Sequence, residues 1–289
     1  MTRTDHSTRP LADAANNTAA YPLLPETVLR ISRMSVSPQT NATDIGRLIS
    51  DDSELTRKTL ALVNSSFYGF PREISRVTKA IVLIGFNKVR SMAVAVSVVD
   101  LFSDAAVDGF VFKEFWQHAV ATAIAGDLLA RRVCPQRADD AFLAGLLSEI
   151  GKALFVKLAP EAYAPLLKHA QSTQQDLVAL ERETAGVTFP EAGSRLLSAW
   201  RFPENLALAV NHFRDPGASQ DDRLLPDLVH VASALASALG FMGAGESVVM
   251  PLCAGSWRNL KLSEELIYEV QSEFLRAWPA AGDLLELVP

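Results

Sequence analysis

A chain of 289 residues, 49% hydrophobic and 21% charged, can bury a large core, which excludes a disordered or fibrous protein. Its net charge of −6 and isoelectric point near 5.4, with Lys and Arg scattered singly, argue against a surface that tracks nucleic-acid phosphates, because such binding rests on clustered cations. The two cysteines, Cys134 and Cys253, match neither a disulfide framework nor a zinc-site spacing, and the longest apolar run, residues 92–99, is far short of the roughly 18 residues a membrane span needs.

Residues 1–20 are rich in Thr, Asn, Asp and Ala and lack the apolar stretch of a secretory signal, so the sequence predicts a flexible tail and a cytoplasmic protein. From there nearly every periodic segment repeats at three and four residues, the spacing of a helix with one buried face. Asn41 or Thr43 caps a helix carrying Ile45, Leu48 and Ile49. Asp52 caps the next, whose face is Leu55, Thr59 and Leu62. Gly69 and Pro71 mark a loop, with Asn64 and Ser65 placed to tie its backbone. Ile74, Val77, Ile81 and Ile84 step along a further helix that Gly85 stops, and Val89 to Leu101 forms an almost wholly apolar one.

The small, polar stretch 103–110 predicts a boundary between two packed lobes, residues 21–105 and 106–289. In the second lobe, Ala119, Ala123 and Gly126 make a strip of small residues where a neighbouring helix can approach. One continuous helix is expected from about 138 to 158. Pro190 and Pro203 open further helices near 190–200 and 203–213, with others near 224–240 and 263–278. The Gly-rich stretch 239–247 lacks the Gly-Lys-Ser/Thr ending of a phosphate-cradling loop and reads as an ordinary loop. The fold class predicted is all-α, without tandem repeats.

Of the five histidines, only His118, His212 and His230 fall on predicted helices of the second lobe, where converging His and carboxylate groups could hold a metal. The motifs around them carry a resemblance. The run LISDDSELTRKTLALVNSSFYGFPREISRVTKAIVLIGFNKVRSM, followed by FWQHAVATA, AFLAGLLSEIGK, GVTFPEAGSRLLSAWRFPENLALAV and VHVASALA, is similar to the HDOD family over roughly residues 20–240. These bacterial proteins are related to the HD phosphohydrolases and usually lack their full metal site.

The resemblance implies the following placements. His118 stands where the first metal-ligating His is expected, Ser148 and Glu149 occupy the His-Asp pair, Phe189 replaces a frequent His, Ser233 lies near the distal Asp, and His212 is followed by Phe213 and Arg214. Such a set implies no metal and no other cofactor. It implies a non-catalytic signal-transduction regulator that binds a protein partner, in two-component or cyclic-dinucleotide settings, or a nucleotide second messenger. The competing expectation is a residual metal-dependent phosphohydrolase using His118, Glu149 and His212. Glu149 and Lys152 can pair at i, i+3, worth only a few tenths of a kcal/mol if exposed. Ser148 reads as a helix hydroxyl bonded to its own backbone, not as a nucleophile.

The first lobe offers a second candidate surface. Asn64, Ser65 and Tyr68 gather polar and aromatic groups at a helix end, and Arg72, Arg76, Lys79, Lys88 and Arg90 follow with Glu73 as the only acid among them. These cations predict either a solvated helix face or a modest basic patch for an acidic partner or a nucleotide phosphate. Nucleic acid is not an expected partner, nor is membrane insertion.

Overall fold

A computed structural model describes residues 9–34, 42–64, 70–102, 107–220 and 222–281. Among them every regular element is helical, and the only bridge is an isolated one between Val107 and Phe110. The chain opens with α1 (Arg9–Asn16), α2 (Glu26–Met34), α3 (Ala42–Ser50), α4 (Ser53–Val63), α5 (Val77–Ile84) and α6 (Phe86–Leu101). Asp52 caps α4 by accepting from the Leu55 N–H at 2.9 Å, and Leu55, Thr59 and Leu62 are buried as their spacing predicts. Gly85, at φ +89°, separates α5 from α6 with a backbone turn that favours glycine. Every residue of α6 from Lys88 to Val99 is buried, because α2, α3, α4 and α5 pack around it and α8 covers it from the other lobe.

The second lobe comprises α7 (Phe112–Val133), α8 (Ala138–Leu147), α9 (Ile150–Leu158), α10 (Pro160–Thr173), α11 (Leu177–Ala185), α12 (Phe189–Ala199), α13 (Glu204–His212), α14 (Leu224–Ala238), α15 (Ala254–Asn259) and α16 (Glu264–Ala277). Its centre is α7, gripped by α8 and α14. The small-residue strip works as expected at Gly126, where a Cβ would come within 3.0 Å of the Ala141 carbonyl; across the same crossing a Cβ on Gly145 would lie 2.9 Å from the Thr122 carbonyl. Pro190 sits in the first turn of α12 and Pro203 immediately precedes α13. The sequence reading leaves α10 and α11 unassigned, since Pro165 interrupts the apolar pattern of α10.

Two expectations change. Residues 9–20 are not a free tail: α1 crosses to the second lobe and packs on α9, α10, α11 and α12 through the fully buried Leu11 and Ala15. The Tyr21 hydroxyl donates to the Ala15 carbonyl at 2.6 Å, Arg195 donates to Asn16 Oδ1 at 2.9 Å, and the Trp200 indole donates to the Pro22 carbonyl at 2.8 Å. The helix is amphipathic, and its apolar stripe is too short to stand out from the polar residues around it. The predicted helix 138–158 is in fact two, α8 and α9, broken at Ser148 and Glu149. A single cluster of buried apolar residues runs from α1 to α16, so both lobes share one core.

Candidate functional site

The break between α8 and α9 builds the site. Ser148 closes α8, its hydroxyl donating to the Gly145 carbonyl at 2.8 Å, and Glu149 leaves helical geometry at φ −102°, ψ 11°. This turns the Glu149 carboxylate into the interior, where its side chain is fully enclosed. Across from it, on α7, stands His118. Its Nδ1 lies 2.6 Å from the Phe241 carbonyl, which can only accept, so Nδ1 carries the proton. Its Nε2 faces the hydroxyls of Ser233 (3.2 Å) and Thr122 (3.3 Å) and lies 3.7 Å from Glu149 Oε1.

Lys152, one turn into α9, is fully buried. Its ammonium lies 2.8 Å from Glu149 Oε1 and 2.9 Å from Glu246 Oε1. The i, i+3 pairing with Glu149 is therefore an interior ion contact, not the exposed one the sequence allowed. Glu149 Oε2, by contrast, has no hydrogen-bond partner among the described residues. Arg214, just past α13, donates from one nitrogen to both oxygens of Glu246 (3.0 and 3.2 Å) and from the other to Asp176 Oδ2 at 2.5 Å. Both cations lie over the Phe189 ring, Lys152 at 4.6 Å and Arg214 at 6.0 Å.

Glu246 and the Phe241 carbonyl come from the Gly-rich stretch between α14 and α15, which closes over this cleft. Gly243 is seated so tightly that a Cβ there would lie 2.7 and 2.8 Å from the Glu149 oxygens and 2.9 Å from Lys152 Nζ. Burial opposes ionisation of Glu246, yet Arg214 and Lys152 outweigh it and hold the carboxyl down at about 2. Burial likewise works against the Lys152 charge, and Glu149 and Glu246 outweigh it, so its pKa is raised. Arg214 is raised in the same way by Glu246 and Asp176 against the pull of burial. Beneath the Phe189 ring, Glu181 accepts from the Tyr163 hydroxyl and from the Phe189 N–H, each at 2.7 Å. Burial pushes Glu181 up to about 8, so it is protonated at neutral pH and holds the start of α12 without adding charge.

Of the residues the sequence singled out, His118, Ser148, Glu149, Phe189 and Ser233 gather around this cleft. His212 does not: it is half-buried at the end of α13 and pairs with the adjacent Asn211 amide at 3.1 Å. His230 is spent on structure, its Nδ1 donating to the Phe213 carbonyl at 2.7 Å and its Nε2 accepting from the Cys253 N–H at 2.8 Å. The donor set does not fit a metal ion. His118 and Glu149 converge, but the Lys152 ammonium already stands at Glu149 and Glu246 is held by Lys152 and Arg214, and no group of three or more His, Cys, Asp or Glu side chains among the described residues is arranged for metal binding. Glu246 is the member that motif reading passes over; the sequence presents Lys152 only as a local partner of Glu149, and Arg214 only as a neighbour of His212.

The basic patch is only half at the surface. Arg72, Arg76 and Lys79 are exposed. Lys88 and Arg90 are buried between the lobes, Lys88 Nζ lying 2.6 Å from Asp127 Oδ1, 3.7 Å from Asp139 Oδ1 and 4.4 Å from the Phe142 ring, and Arg90 3.8 Å from Asp140. The reason is that α6 is covered on all sides from Lys88 to Val99, so a cation in that stretch must find an acid across the interface. Asn64 ties the loop as its chemistry suggests, donating to the Ile74 carbonyl at 2.9 Å and accepting from the Ile74 N–H at 2.7 Å. Ser65 and Tyr68 lie outside the described residues.

Comparison with known proteins places this geometry. A protein from Geobacter sulfurreducens, crystallised as an HDOD domain protein with unknown function, has 21% identity and a TM-score of 0.81 over 97% of this chain and 99% of its own. A Marinobacter aquaeolei VT8 protein, named as a candidate signal transduction protein, has 22% identity and a TM-score of 0.79 over 100% of this chain and 67% of its own. One from Shewanella amazonensis SB2B, named as a candidate phosphohydrolase, has 21% identity and a TM-score of 0.76 over 98% and 99%. An uncharacterized protein of Treponema pallidum (strain Nichols) is 24% identical over 229 residues, 78% of this chain, and the chain spans only 44% of that relative's length. The structural likenesses establish the helical fold. The HDOD domain model matches residues 21–216, well over half of the sequence, and the chain belongs to the HDOD domain family.

Proposed function

We propose that this HDOD protein works as a non-catalytic regulator in signal transduction, recognising a protein partner or a nucleotide second messenger instead of turning over a substrate. The observation that carries this reading is the Lys152 ammonium, set between Glu149 and Glu246 in the cleft. A hydrolytic metal centre needs an open coordination position for water, and here a fixed side-chain cation meets the carboxylate 3.7 Å from His118. The name borne by the Marinobacter aquaeolei relative supports a signalling context. Partners of two-component or cyclic-dinucleotide pathways suit it. Action in the cytoplasm is consistent with the finding that no helix among the described residues is long and apolar enough to cross a membrane.

The alternative, residual phosphohydrolysis through His118, Glu149 and His212, loses its third ligand, because His212 pairs with Asn211. The test is hydrolysis of a generic phosphodiester and a generic phosphomonoester by the purified chain with added Mn²⁺, Zn²⁺ or Mg²⁺, beside His118→Ala. No turnover above that of the variant is expected. Metal-dependent turnover that His118→Ala abolishes would overturn the reading.

A further inference from the structure

Lys152 and Arg214 come from different helical regions and converge on one carboxylate, with side chains 0% and 9% exposed. A lysine and an arginine aimed at one point, over the face of an aromatic ring, is chemistry suited to a phosphate group, whose oxygens accept from both. The group found there is Glu246, in the long segment between α14 and α15. The other members, apart from Arg214 itself just beyond α13, sit on helices or at the α8–α9 break of the packed core.

A second observation points to a ligand independently. Glu149 is fully buried with the Lys152 ammonium 2.8 Å from Oε1, yet its second oxygen, Oε2, has no hydrogen-bond partner among the described residues. A buried carboxylate oxygen left without a donor is costly, and such groups in native proteins usually mark a missing partner. A hydroxyl or amino group next to a bound phosphate would supply that donor.

We propose that Lys152, Arg214 and Phe189 form an anion seat for a phosphate-bearing ligand, and that the segment between α14 and α15 masks this seat by laying Glu246 into it. The proposal rests on the reading of the cleft as a binding site. It adds the ligand's chemistry and the chain's own control over access. The mask is held at its edges by contacts a ligand does not need: the Phe241 carbonyl on His118, the Phe241 ring against Phe274 and Trp278, and the Ser247 hydroxyl on the Ala170 carbonyl. Gly240 and Gly245, at φ +94° and +79°, bracket the part that carries Gly243 into contact with Glu149. Asp176, the outer partner of Arg214, is 43% exposed, and this is the side from which a phosphate would enter.

Glu246→Gln keeps the shape of the mask and removes its charge. With inorganic phosphate as the probe, against chloride at matched ionic strength, the variant is expected to gain about 3–5 °C in unfolding midpoint. The wild type gains less than about 1 °C, because Glu246 competes, and adding Arg214→Ala to the variant cancels the gain. A folded Glu246→Gln protein with no phosphate-specific gain would overturn the proposal. Hydrogen exchange on the wild-type chain provides a second reading that does not depend on the variant folding. Faster exchange between residues 240 and 250 in phosphate than in chloride supports the mask, and identical exchange counts against it. Phosphoester turnover in either protein would contradict the non-catalytic reading and leave the seat standing, so the two failures are distinguishable.

Discussion

An ammonium enclosed between two carboxylates is stable only while all three keep their partners, because each charge has given up its hydration. Lys152→Met is therefore expected to destabilise the protein by about 3–5 kcal/mol in urea unfolding, since it leaves Glu149 and Glu246 without their shared cation. A loss below 1 kcal/mol, about what an exposed pair contributes, would mean the cluster is hydrated in solution. Glu181 gives a signal of the other kind. Its folded value of about 8 exceeds the ordinary 4.5, so the folded chain keeps a proton that the unfolded chain releases between those values. Its contribution to stability is full below about pH 4.5 and falls as pH rises toward 8, by on the order of a few kcal/mol. Glu246, held at about 2, acts in the opposite sense, contributing above the ordinary carboxylate value and losing that contribution as pH falls toward 2. Glu181→Gln should flatten the decline in unfolding free energy between about pH 5 and pH 8; an unchanged slope would assign the decline to other groups. At this scale the sequence was partly legible. His118, Ser148, Glu149, Phe189 and Ser233 could be placed by motif, but Glu246 lies 94 residues from Lys152, beyond the stretch that carries the family's motifs, and nothing local marks it as a partner.

Many helix positions were readable from apolar spacing and several boundaries from Asp52, Gly85, Pro190 and Pro203, while α1, α2, α10, α11 and α15 were not assigned. The break inside 138–158 was not readable, because both flanks are apolar and neither Ser148 nor Glu149 is a strong breaker. What enforces the break is packing: α9 is pulled against α12 at Gly151, where a Cβ would lie 1.9 Å from the Phe189 carbonyl and 2.7 Å from the Gly193 N–H. Both obstacles are backbone atoms and cannot rotate away. Gly151→Ala must push the helices apart, and an expected loss of at least about 3 kcal/mol, the upper part of the overpacking range, would appear in thermal unfolding. A fully stable Gly151→Ala protein would refute the close α9–α12 crossing.

Across the whole molecule, the two lobes behave as one body because their contact is a buried one. The fully covered α6 meets α8, Lys88 is locked to Asp127 of α7, and α1 straps across the far side of the second lobe. The strap was not legible in the sequence, since its apolar stripe is short and its partners lie more than a hundred residues away. Leu11→Ala is expected to cost about 2–4 kcal/mol, as for other large-to-small changes at fully buried sites, measured by urea unfolding followed by far-UV circular dichroism. A free tail would give no change. The shared core also fixes the cleft in place, so the identity of the cation inside it decides what the molecule can do. The most direct measurement is the divalent metal content of the full-length chain purified without chelator, set beside that of His118→Ala. The account predicts metal far below one ion per chain in both proteins, with Lys152 supplying the positive charge. Near-stoichiometric Mn, Fe, Zn or Ni in the wild type that disappears in His118→Ala would contradict it.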